Sequence, residues 1–155
     1  LALIRSGQPP VSVEINYRHL SEEPFFLLIP QENSLAQATQ VQPEQLKAIT
    51  LITYRRSDNT ALRQQIDRYL IENTCQPADI IEVSDIAAMV NMVQFGLGLS
   101  LLPESVALSF SGQLTARPIG GKANSIGLYL CITAQSIAEA YPLFEELGSS
   151  LQLTL

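Results

Sequence analysis

Any catalytic dyad in this chain would have to use His19, the single histidine among 155 residues. A Ser–His or Cys–His system needs that imidazole as its base. No cysteine or aspartate adjoins it, and it reads as a surface histidine at the end of a polar stretch. Cys75 and Cys131 stand far apart and lack C-x-x-C spacing, so they read as two buried thiols in a reducing compartment. Asp79, Glu82 and Asp85 place three acids within seven residues. Strand alternation turns Asp79 and Glu82 to opposite faces, so solvated carboxylates and a helix cap explain them without a metal. Gly96-Leu97-Gly98 lacks the third glycine of a dinucleotide fingerprint and precedes a strand instead of opening a helix. It reads as a helix C-cap and a tight turn. What survives is anion chemistry. Thr53-Tyr54-Arg55-Arg56-Ser57 falls where a strand ends and a helix begins, and the paired guanidinium groups of Arg55 and Arg56 suit a carboxylate or phosphate. Arg5-Ser6-Gly7 also lies just past a strand end. The plainer alternative is that Arg55 and Arg56 solvate a helix start and that Ser84 is only a cap. Neither reading calls for a cofactor.

The elements that must position these groups centre on residues 80–103. Ile80-Ile81-Glu82-Val83 is a β-branched run with the composition of a buried strand. Ser84 or Asp85 can cap a helix, and Ile86, Met89, Val90 and Val93 give that helix one apolar face. Gly96 sits where the helix should stop, and residues 97–102 form a second apolar run closed by Pro103. Strand, helix and strand with short joints predict a crossover between parallel strands. Upstream, residues 1–4 read as a short buried strand and residues 11–17 as a half-exposed one. Residues 25–29 are apolar on both faces and therefore central, with Glu22-Glu23 as their boundary. Residues 30–42 read as loop, 43–46 as one helical turn, 49–54 as a strand and 59–73 as a helix. Downstream, residues 104–109 read as a short helix, with strands over 114–119 and 126–133. A last helix is expected from Ser136, with Pro142 kinking it or starting its regular part. Its apolar face is Tyr141, Phe144, Leu147 and Leu151. This alternation predicts an α/β fold with mainly parallel strands.

Composition narrows the classes. Apolar residues make up 46% of the chain, which argues for a packed core. The length suits one domain or two small lobes. No apolar run reaches the roughly 18 residues of a membrane span, and the N-terminus lacks a secretory pattern. A first residue that is leucine suggests a fragment or a trimmed chain. Nine basic against fifteen acidic residues leave a net charge of −6, which repels phosphate backbones and offers no basic face to nucleic acid.

Several of these stretches together resemble a known family. Glu82-Val83, then Val93-Gln94-Phe95-Gly96-Leu97-Gly98, then Leu101-Leu102-Pro103 resemble the effector-binding domain of LysR-type transcriptional regulators. There an EV strand, a helix ending V-x-x-G-x-G and a strand ending LLP follow in that order. Leu1-Ala2-Leu3-Ile4 resembles the family's D-L-A-I strand. Glu23-Pro24-Phe25 to Pro30 and Ser34-Leu35-Ala36 resemble its E-P-L…P…H-P-L-A segment, with Asn33-Ser34 in place of His-Pro. The resemblance covers nearly all of the chain and rests on the order and spacing of the motifs.

The resemblance implies an α/β, two-lobed fold of the periplasmic-binding-protein-like (type 2) kind. Within a partial domain over 1–155, residues 1–20 and 119–155 would be first-lobe segments and 25–115 the second lobe. The second lobe would be complete and the first truncated at its N-terminal side. The implied function is sensing of a small effector in the cleft between lobes. By matching position Ser6, Tyr54, Ser57, Ser84 and Pro103 would face it, beside Arg55 and Arg56. The effector would be a carboxylate or phosphate. The intact protein would be a cytoplasmic homo-oligomer, a dimer, that touches DNA only through a domain outside these residues. No enzyme activity, metal or cofactor is implied. One rival is a solute-binding protein for transport, which the lack of a secretory N-terminus disfavours. Another is an enzyme on a similar scaffold, disfavoured by the lack of a nucleophile–base or metal constellation.

Overall fold

The structure, a computed structural model, describes residues 1–10, 15–133 and 137–154. The expected strand over 11–17 therefore falls partly outside the described residues, as does the helix start at Ser136. The strands are β1 (Ala2–Ser6), β2 (Ile15–Ile29), β3 (Thr50–Tyr54), β4 (Asp79–Val83), β5 (Ser100–Pro103), β6 (Thr115–Pro118) and β7 (Ser125–Thr133). The α-helices are α1 (Ala61–Glu72), α2 (Ile86–Gln94), α3 (Glu104–Leu108) and α4 (Ile137–Thr154). The chain divides into two units, Leu1–Glu23 with Ile126–Leu155, and Pro24–Ser125.

β2 corrects the sequence reading most. Glu22-Glu23 does not end a strand; one strand of 15 residues runs through both acids and Pro24. Glu23 is tolerated there, 8% exposed, because the Arg5 guanidinium pairs with its carboxylate at 2.5 Å.

In the second unit β3 and β4 pair in parallel, from Thr50 opposite Asp79 to Tyr54 opposite Val83. A parallel bridge between Leu51 and Leu99 sets the segment entering β5 on the other side of β3. β4, α2 and β5 thus form the expected parallel crossover, with β3 between its strands. The later half of β2 runs antiparallel to both β5 and β6. Antiparallel pairings therefore outnumber the parallel one expected to dominate, because the chain enters this unit along a strand that opposes the βα units.

The core of this unit is a cluster of Leu28, Ile52, Val83, Met89, Val90, Val93, Leu102, Ala107 and Leu114. Met89, Val90 and Val93 share one face of α2 through 3.6-residue periodicity. Alternate strand residues Leu27, Leu51 and Leu101 are fully buried too, as are Ile66 and Tyr69 of α1. Gly96 takes φ +72, the left-handed conformation expected where α2 stops. β4 differs from expectation. It pairs with β3 alone among the described strands, and Ile80 is 38% exposed, so it is an edge strand rather than a buried one.

In the first unit β1 pairs antiparallel with β7, from Ala2 opposite Cys131 to Ser6 opposite Gly127. Leu20, Leu130, Ile132 and Phe144 form its core, with Leu128 and Leu147 packed against it. Arg18 of β2 pairs with Glu145 of α4 at 3.2 Å. The expected burial of residues 1–4 is corrected: Leu1 and Leu3 are exposed, since among the described residues no element covers that face of β1. α4 runs through Pro142 rather than starting there, giving up one backbone hydrogen bond. Phe144 and Leu147 face inward as expected, whereas Tyr141 is exposed. The side chain of Leu151 lies outside the described residues. Among the described residues, no helix is long and apolar enough to cross a membrane.

Candidate functional site

Strand direction brings several predicted residues to one edge of the second unit. β3 and β4 end side by side at Tyr54 and Val83, and the Arg55 amide donates to Val83 O at 3.1 Å. β5 runs the same way and ends at Pro103, opposite Phe25. The carboxyl ends of three strands thus converge where the chain first enters the unit. In open α/β sheets, ligands bind at such an edge.

The predicted residues differ in what they offer there. Tyr54 is half-buried against the core cluster, and its phenol pKa is raised by burial and then by the nearby Asp85 charge. Arg55 is exposed, and among the described residues its guanidinium has no hydrogen-bond or ion-pair partner. Arg56 is engaged: Nη2 lies 3.4 Å from Asp67 Oδ1, and its amide donates to Glu82 Oε1 at 3.3 Å. Ser57 lies in the 3-10 turn Arg56–Asp58, with its hydroxyl donating to Asp58 at 3.3 Å. Ser84 is exposed and donates to Asp85 Oδ2 at 3.1 Å. Pro103 reaches the same edge but is buried. Ser6 belongs to the first unit, at the end of β1 opposite Gly127, where its Oγ accepts from the Gln8 amide at 3.3 Å. Its neighbour Arg5 is committed to Glu23.

At the start of α2 the cap is already filled. Asp85, not Ser84, caps α2, accepting from the Ala88 amide at 2.8 Å. That bond and the Ser84 hydroxyl hold the Asp85 carboxyl below the usual range. The N-terminus of α2 therefore already carries an internal carboxylate. The positive group available to an anion is the Arg55 guanidinium, with hydroxyls of Tyr54, Ser57 and Ser84 on the same edge.

Sequence reasoning missed Arg63, the residue that holds this edge together. Its side chain is 3% exposed, and Nη1 donates to Tyr54 O at 2.6 Å and to Glu82 Oε1 at 2.8 Å. Nε meets Asp67 at 3.0 Å. One guanidinium thus joins β3, β4 and α1 beneath the turn that carries Arg55 and Arg56. Its helical spacing from Ile66 and Leu70 was the available signal, since it puts an arginine on a buried stripe. Among the described residues, no group of three or more His, Cys, Asp or Glu side chains is placed to hold a metal ion.

Comparison with known proteins identifies the family and the fold. A relative in Escherichia coli K12, the Hca operon transcriptional activator HcaR, is 27% identical over 122 residues, covering 79% of this chain and 41% of HcaR. The chain therefore spans less than half the length of that curated relative. The effector binding domain of a BenM variant superposes with a TM-score of 0.83 at 16% identity, over 98% of this chain and 70% of that one. The reduced OxyR regulatory domain from Pseudomonas aeruginosa gives 0.76 at 22% identity, over 97% of this chain and 71% of that one. These likenesses show the fold, the periplasmic-binding-protein-like α/β fold of LysR regulatory domains. The model of the LysR substrate binding domain matches residues 2–147 from β1 into α4, and the chain belongs to that family.

Proposed function

We propose that this chain is the effector-sensing part of a LysR-type transcriptional regulator. It takes up a small metabolite bearing a carboxylate or phosphate in a cleft between its two lobes. It acts in the cytoplasm, within a homo-oligomer, and controls transcription through a DNA-binding domain outside these residues. Family membership supports the sensing role, and HcaR is named as a transcriptional activator. The observation that carries the effector class is Arg55, an exposed guanidinium at the convergence of three strand ends with no partner among the described residues. Tyr54, Ser57 and Ser84 supply hydroxyls that orient an anion, and we assign Ser6 to the same site. Arg56 takes a supporting part, since it already faces Asp67.

A thermal-shift screen of small carboxylates and phosphate esters would identify a ligand, and calorimetry would then compare the parent with Arg55→Ala, Arg56→Ala and Ser57→Ala. Arg55→Ala is expected to weaken binding by about 1.5–3 kcal/mol, the scale of a charge-assisted hydrogen bond. Arg56→Ala should cost less. Equal binding by all three variants, or a neutral apolar ligand, would overturn the site assignment.

A further inference from the structure

Gln65, Tyr69 and Asn73 recur every fourth residue along α1 and its C-cap, so they line one face of the helix. All three reach the backbone that runs from the end of β6 to the first residue of β7. Gln65 Nε2 donates to Ser125 O at 2.8 Å. Tyr69 Oη donates to Gly120 O at 2.9 Å, fully buried. Asn73 uses both halves of its carboxamide on Lys122, donating to its carbonyl at 2.8 Å and accepting from its amide at 2.8 Å.

The segment itself is closely fitted. Gly121 adopts φ +97, and a Cβ there would lie 2.4 Å from Asn73 Oδ1 and 2.7 Å from Pro43 Cγ. Ala123 is held at φ 51, in the left-handed region. Ser125 is the last residue of the unit, so this segment is the second of the two places where the chain passes between units. At the other end of α1, buried Arg63 grips Tyr54 O and Glu82, and Glu82 accepts the Arg56 amide. Ile66, 1% exposed, anchors the helix between these two attachments.

We infer that α1 is a coupling element that ties the Tyr54–Arg55–Arg56 turn at its start to the 120–125 connection along its polar face. A helix bonded at both ends moves as one body, so a displacement at the turn reaches the connection. The link acts equally in the reverse direction. That an effector causes the displacement rests on the function proposed above. The coupling belongs to the helix, and it is tested without a ligand.

The test is amide hydrogen exchange on the full chain, comparing the parent with Asn73→Ala, Gln65→Ala and Arg63→Lys. The reporters are the Lys122 amide at the connection, the Arg56 amide at the turn and the Leu99 amide, bonded to Thr50 O, as a control for the whole unit. Loosening the connection through Asn73 or Gln65 should speed exchange at Arg56 roughly fivefold or more, with Leu99 unchanged. Arg63→Lys should in turn speed exchange at Lys122. Effects confined to the mutated end, or acceleration of Leu99 by the same factor, would overturn the inference. If Asn73→Ala fails to fold, Gln65→Ala and Arg63→Lys still decide it. Failure of the effector reading would show in calorimetry and leave these exchange rates as they are.

Discussion

Arg55 and Arg56 are adjacent and chemically alike, yet the turn that carries them gives them different roles. Both face solvent, but Arg56 has Asp67 within 3.4 Å of its guanidinium, whereas Arg55 has no such partner among the described residues. Sequence could place both at a strand end but could not divide them, because the dividing partner lies 11 residues further on. Asp85 is a second case. The sequence offered Ser84 and Asp85 as caps, and the structure selects the carboxylate, which accepts two α2 amides and the Ser84 hydroxyl. Those bonds favour the ionised form in the folded state, so the folded pKa lies below the unfolded value. The cap's contribution is therefore complete above the unfolded value and is lost as pH falls through the folded one. Melting temperatures of parent and Asp85→Ala should differ most near neutral pH and converge as acid takes the carboxyl below its ordinary range. A gap unchanged down to about pH 2 would contradict the cap's role.

The elements were legible where local pattern and tertiary fate agree. Residues 80–103 carry a β-branched run, an apolar stripe at helical spacing and a second apolar run, and they form β4, α2 and β5 in that order, although β4 lies at an edge and β5 begins only at Ser100. Legibility failed where a distant partner decides. β2 runs on through Glu22, Glu23 and Pro24 because Arg5 neutralises Glu23 from 18 residues away. Within the second unit, which runs to Ser125, the contacts of α1 with residues 120–125 likewise join stretches 49 to 60 residues apart. Arg63 was overlooked because an arginine in a helix reads as a solvated face. Its truncation gives a prediction for the β3–α1–β4 assembly. Arg63→Ala would strand Glu82 and Asp67 and leave Tyr54 O without its donor. Breaking a fully buried pair costs about 3–5 kcal/mol. Both carboxylates are partly exposed here, so solvent screening lowers the expectation to about 2–3 kcal/mol in denaturant unfolding. A loss below about 0.5 kcal/mol, the scale of an exposed pair, would show that the network does not hold the edge.

For the whole molecule, charge and family point the same way. A net charge of −6 opposes binding to a phosphate backbone, so the chain by itself is expected to show no sequence-specific affinity for duplex DNA at moderate salt. Sub-micromolar, sequence-dependent binding in a titration would refute that. The central claim is that a small anion is sensed at the edge where β3, β4 and β5 end, with Arg55 as its cation. The most direct measurement is a backbone-amide NMR titration of the full chain with a panel of small carboxylates and phosphate esters, repeated on Arg55→Ala. The expected result is saturable shifts at residues 54–57, Ser84 and Ser6, with affinity reduced about tenfold or more in the variant, equivalent to about 1.4 kcal/mol. Saturable shifts confined to another surface, or equal affinity for parent and variant, would contradict it.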